Sequence, residues 1–121
     1  MMALGKKYEE AALAKIRKQY QEEIRKTLSY LDTVAKYTEK ALDKAILSGS
    51  TTISAHIISD EWGRLSFIFF NWDKYHGIVN GVLRHGKDKL KNILETKYLP
   101  LGWKGVRISE PSDHDGEISL Y

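Results

Sequence analysis

The chain is expected to be an α+β protein: a long N-terminal helix, or a helical hairpin, followed by two β-hairpins that form an antiparallel sheet with one helix packed on it. Three observations predict this. Residues 6–48 contain no Gly or Pro and are dense in Ala, Leu, Glu, Lys, Arg and Gln, which lose little on entering a helix. Residues 53–70 and 105–121 are rich in β-branched or aromatic residues around turn-forming sequences, the pattern of hairpins. From Asp73 onward apolar residues recur at helical spacing.

The first segment carries one apolar stripe, Leu13, Ile16, Tyr20, Ile24, Leu28, Leu31, Val34, Ala35, Leu42, Ala45 and Ile46, mostly at three- and four-residue steps. Strict heptads soon meet Glu23, Thr27 or Thr38, whereas Leu13, Ile24, Ala35 and Ile46 follow an eleven-residue step. That period favours a nearly straight or slightly right-handed arrangement over a left-handed zipper. A continuous helix of this length would run roughly 65 Å at 1.5 Å per residue. The competing arrangement breaks near residues 29–33, where Ser29, Asp32 or Thr33 can cap a second helix. No Gly supplies a sharp reversal there, so continuity is the preferred expectation. Gly49 ends the helical region, with Ser50, Thr51 and Thr52 as loop.

Residues 53–59 and 64–70 read as two strands around Asp60-Glu61-Trp62-Gly63, with a helix through the same residues as the competing reading. After Asp73, Tyr75, Ile78, Val79, Val82 and Leu83 line one helix face, extended by Leu90, Ile93 and Leu94. Gly77, Gly81 and Gly86 each weaken that helix by about 1 kcal/mol relative to Ala, which implies close backbone approach or a kink at Gly86. In the last segment Val106, Ile108, Ile118 and Leu120 alternate with polar residues, and Asp115-Gly116 with Pro111 reads as the turn. The organisation is therefore a helical segment, 1–48, and a small α+β domain, 49–121.

Composition excludes several functions. There is no Cys, so disulfides, thiolate metal sites and Cys nucleophiles are absent and a reducing compartment is the natural setting. Met1–Lys7 lacks the apolar run of a secretory signal, and the most apolar window, residues 65–72, is far too short to cross a bilayer. A soluble, cytoplasmic protein without membrane contact is expected. Gly81 to Asp88 matches G-x-x-x-x-G-K, but Asp88 stands where Ser or Thr should hold Mg²⁺ and no strand precedes the first Gly. Asp113, His114, Asp115 and Glu117 fit neither a calcium loop nor a His-pair zinc site. No nucleophile elbow, His-Glu helix pair or paired carboxylates in an apolar setting can be named. No enzyme activity, cofactor or metal is expected.

Two surfaces remain. The leading expectation is a non-enzymatic adaptor, inhibitor or assembly factor that binds itself, as a homodimer, or a larger protein through Leu13, Ile16, Tyr20, Ile24, Leu28, Leu31, Val34 and Leu42. The alternative rests on charge: residues 84–107 carry seven Lys and Arg against two acids, whereas residues 108–121 carry four acids and no Lys or Arg. Arg84, Lys87, Lys89, Lys91, Lys97, Lys104 and Arg107, with Trp103 to stack on a base, would follow a nucleic-acid backbone. Within the fold, the acidic tail would neutralise the same block.

Overall fold

The N-terminal helical region is broken, not continuous. In a computed structural model, which describes residues 2–65 and 72–121, helix α1 (Met2–Leu28) stops at Ser29 and Tyr30, and α2 (Leu31–Leu47) follows. The Ser29 hydroxyl donates back to the Lys26 carbonyl, and the Tyr30 N–H closes a tight turn on the Thr27 carbonyl at 3.0 Å. Ser29 thus satisfies the end of the first helix and does not cap the second, as a short polar side chain readily does. Tyr30 is the N-cap of α2 and makes no side-chain capping bond. None of the three expected caps acts. The break arises from tertiary anchoring: the last turns of α1 lie on α4, whereas α2 packs on α3, α5 and β1.

The end of α2 is as expected. Gly49 takes a left-handed φ of 84°, and the Ser50 N–H reaches back to the Ala45 carbonyl at 2.8 Å, closing the helix as a Schellman-type turn.

The expected first hairpin is replaced. Only Thr52–Ser54 form a strand, β1, and Ala55–Leu65 form helix α3. Ala55, Ile58, Ser59 and Trp62 are buried at the steps of a helix face, with Glu61 buried beside Trp62 in sequence. The Ser59 hydroxyl, buried on that face, donates to the Ala55 carbonyl at 2.7 Å. Asp60–Gly63, expected as a turn, lie inside α3. Most of the expected second strand, residues 66–70, lies outside the described residues.

The later helix divides at Gly86 into α4 (Trp72–His85) and α5 (Lys87–Tyr98). A Cβ on Gly86 would stand 2.8 Å from Leu28 Cδ2 and 3.2 Å from the Val82 carbonyl oxygen, and one on Gly81 would stand 2.7 Å from Thr27 Cγ2. Both glycines let α1 approach α4 closely. A 3₁₀ turn, Leu99–Leu101, ends at Gly102 with φ 105°. Strands β2 (Val106–Ser109) and β3 (Glu117–Leu120) then form the expected second hairpin.

The sheet has the order β1-β3-β2 and is antiparallel throughout. Ile53 and Ile108 both face Ile118, and Val106 faces Leu120. Ile53, Val106, Ile118 and Leu120 are buried together with Val34, Ala41, Leu42, Ile58, Val79, Val82, Leu83, Leu90, Leu94 and Tyr98 in one cluster. The boundary at residues 48–49 separates segments of chain but not cores, because α2 supplies five buried residues to that cluster and its lining. Trp62 joins three helices: its ring stacks on Tyr37 at 5.8 Å and meets Tyr75 at 4.5 Å and Tyr30 at 5.9 Å.

Tyr98 is wholly buried. Its hydroxyl lies 2.9 Å from Asp43 Oδ1 and 3.1 Å from the Glu39 carbonyl oxygen, tying α5 to α2. Burial pushes the phenol far above its ordinary range, and its hydrogen bond to Asp43 and the charges of Asp43 and Glu39 add to the shift. A group that titrates higher in the folded chain contributes fully below its unfolded pKa, about 10, and its contribution is lost as pH rises above that value. Stability should therefore fall above pH ~10 by up to about 1.4 kcal/mol per pH unit from this residue. Chemical denaturation from pH 8 to 11 checks this: Tyr98→Phe should lower stability at pH 8 by about 1 kcal/mol and flatten the alkaline loss.

Candidate interaction surface

The apolar stripe divides near Ile24. On its C-terminal side Ile24, Leu28 and Leu31 are half-buried, while Val34 and Leu42 are fully buried and belong to the core. Those last two offer nothing to a partner, which corrects their expected role. On its N-terminal side Leu13, Ile16 and Tyr20 are each more than half exposed at 51, 59 and 54 %. Residues 8–23 are exposed on every face of α1. Tyr8, also exposed, lies toward one side of the row.

Helix formation alone explains little here. An isolated helix of this length is marginal in water, and most helical stability comes from packing an apolar face. Among the described residues, α1 is packed at its last turns, where Thr27 and Leu28 seat on Gly81 and Gly86. Further out, Tyr20 meets His85 edge-on with ring centroids 6.0 Å apart. Beyond it Leu13 and Ile16 project from a helix whose Glu9, Glu10, Lys15, Arg17 and Lys18 make no ion pair among the described residues.

The basic block is arranged differently. Along α4 and the start of α5, the polar face holds the segment between β2 and β3. His76 Nε2 is 2.7 Å from Asp115 Oδ1, Asn80 accepts the Gly116 N–H at 3.1 Å, Arg84 donates to the Pro111 carbonyl at 3.2 Å, and Lys87 pairs with Glu110 at 3.2 Å. Elsewhere Lys91 pairs with Glu95 at 3.9 Å, and Lys97 with Asp43 at 2.7 Å. Trp103 is partly buried against the core, Arg107 lies over the Tyr121 ring at 5.1 Å, and Lys104 is exposed. Lys89 sits with Arg25 and Gln21 at the rim of a shallow groove floored by Ile24 and Leu28. Among these pairs the acidic segment meets the basic block at Lys87–Glu110, while Lys91 and Lys97 find their acids in α5 and α2. The pairings between distant segments, such as Lys87–Glu110 and Lys97–Asp43, leave no periodic trace in the sequence.

The sequence Gly81 to Asp88 runs through α4 into α5, and its two outer glycines serve the α1 contact, so it forms no phosphate loop. Asp113, His114, Asp115 and Glu117 do not converge: Asp115 turns to His76, and His114 Nδ1 lies 3.1 Å from the Asp115 carbonyl oxygen. Among the described residues no group of three or more His, Asp and Glu side chains is placed to hold a metal ion. No helix among them is long and apolar enough to cross a membrane.

Comparison with known proteins adds no relative: no family model, curated protein or solved structure matches the chain.

Proposed function

We propose that this chain is a small non-enzymatic interaction protein that engages a helix of another protein molecule through Leu13, Ile16 and Tyr20 of α1, with Ile24 at the edge of the contact. One observation carries this reading. A single amphipathic stripe is consumed by the core after Ile24 and left uncovered before it. Three half-exposed apolar side chains in one row form the kind of anchor set that helix recognition uses. Covering each would contribute on the order of 1 kcal/mol.

Nucleic-acid binding is less well supported, because Arg84, Lys87, Lys91 and Lys97 already engage acceptors within the chain. Site-specific photo-crosslinking in cells tests the interaction reading. A photoreactive residue placed at Leu13 or Tyr20 should capture a protein, either a second copy or another chain, whereas the same residue at Glu22 on the opposite face should not. Equal or absent capture at all three positions would refute the proposal.

A further inference from the structure

We infer that the occupant of the α1 stripe is the α1 of a second copy of this chain, lying antiparallel about a two-fold axis between residues 14 and 15. The inference rests on the stripe being a docking surface, and it names the partner. Its warrant is the order of residues on the exposed part of α1.

Glu9, Leu13, Ile16 and Tyr20 follow one another at steps of four, three and four and form a single seam. In the antiparallel pair Leu13 of each copy packs against Ile16 of the other. Tyr20 falls opposite Glu9, so a phenol hydroxyl reaches a carboxylate at each end of the seam. Beside it, Glu10 and Arg17 occupy the same flank, seven residues apart and opposite in sign. An antiparallel pair sets Glu10 of each copy beside Arg17 of the other, so the contact is charge-complementary to itself at two symmetric places.

A parallel pair has none of these features. It would place Glu9 against Glu9, and would set Glu10 and Arg17 opposite the uncharged positions Gly5 and Ala12. In the antiparallel pair the bodies attached after Ile24 lie beyond opposite ends of the contact, offset along it by about 28 Å at 1.5 Å per residue.

Charge swaps on the full chain test the inference, read by sedimentation equilibrium. Both positions lie in the exposed part of α1, so folding should be unchanged, with circular dichroism as the check. Glu10→Lys alone, or Arg17→Glu alone, turns two attractions into two repulsions and should weaken self-association on the order of tenfold. Mixing the two single variants in equal amounts should restore the affinity of the unaltered chain, because each then meets the opposite charge. The double variant E10K/R17E should restore it likewise.

A dimer insensitive to the swaps would overturn the antiparallel register. A chain that stays monomeric while its Leu13 position crosslinks to a different protein would overturn the second copy as occupant and leave the docking reading standing. Absence of any crosslink from the stripe would instead remove the docking reading itself.

Discussion

Leu42→Ala should lower the melting temperature by on the order of 10 °C, whereas Leu13→Ala should move it by less than about 2 °C. The two residues belong to one amphipathic stripe and differ only in what covers them. Leu42 is fully buried in the core cluster, and its truncation leaves a cavity that close-packed neighbours fill only in part, at a cost of about 3 kcal/mol. Leu13 already faces water over half its surface, so its truncation removes little burial within one chain. Differential scanning calorimetry at low protein concentration makes the comparison. Equal shifts would show that the exposed half of α1 is folded onto the body.

Gly116→Val should destabilise the chain by about 3 kcal/mol and shift the urea midpoint by on the order of 2 M. Gly116 is buried where three elements meet. Its carbonyl accepts the Ala55 N–H at the start of α3 at 2.9 Å, and its own N–H donates to Asn80 Oδ1 on α4 at 3.1 Å. An added Cβ would stand 2.7 Å from Leu83 Cδ1, 3.0 Å from the Ser109 carbonyl oxygen and 3.3 Å from Pro111 Cδ. Leu83 is fully buried and Ser109 contributes backbone from β2, so neither can yield cheaply. Gly77→Ala is the control: a Cβ there meets nothing within 4 Å, and removing a helical glycine should stabilise by about 0.5–1 kcal/mol.

Local signals were legible and long-range ones were not. Gly49 as the stop of α2, the alternation around β2 and β3, and the helical row from Tyr75 to Leu94 with its interruption at Gly86 follow from backbone freedom and side-chain period. Gly116 was expected as a turn residue, yet the close approach of Leu83 and Ser109 is what requires glycine there. The break at Ser29-Tyr30 was legible only as the competing arrangement, because what fixes it, Thr27 against Gly81 and Leu28 against Gly86, lies more than fifty residues onward. Ala55–Leu65 favoured the strand reading over the competing helix because its isoleucines suit a strand, while Ala55, Ile58, Ser59 and Trp62, among its buried residues, keep a helical period.

The candidate surface was half legible for the same reason. Amphipathicity tells which face of a helix must be covered, but not by what. Leu13, Ile16 and Tyr20 could be named from spacing, as could Val34 and Leu42. Only the fold distinguishes the uncovered pair of turns from those of α2 that pack on α3 and α5. Glu10 and Arg17 gained meaning once the seam between them was known to be exposed.

The position of β3 also sets an order of events in synthesis. It is the central strand, yet it follows both its neighbours in the chain, and its pairing joins Thr52 to Ser119. A ribosome releases the helices and β1 well before residues 117–120 emerge, and contacts of such sequence separation form late because a long loop must close first. Until then β1 and β2 have no strand to pair with, and Ile53 and Val106 lack their cover. The nascent chain is thus vulnerable to misassembly just before β3 arrives, and a chaperone that shields these residues would act in that interval.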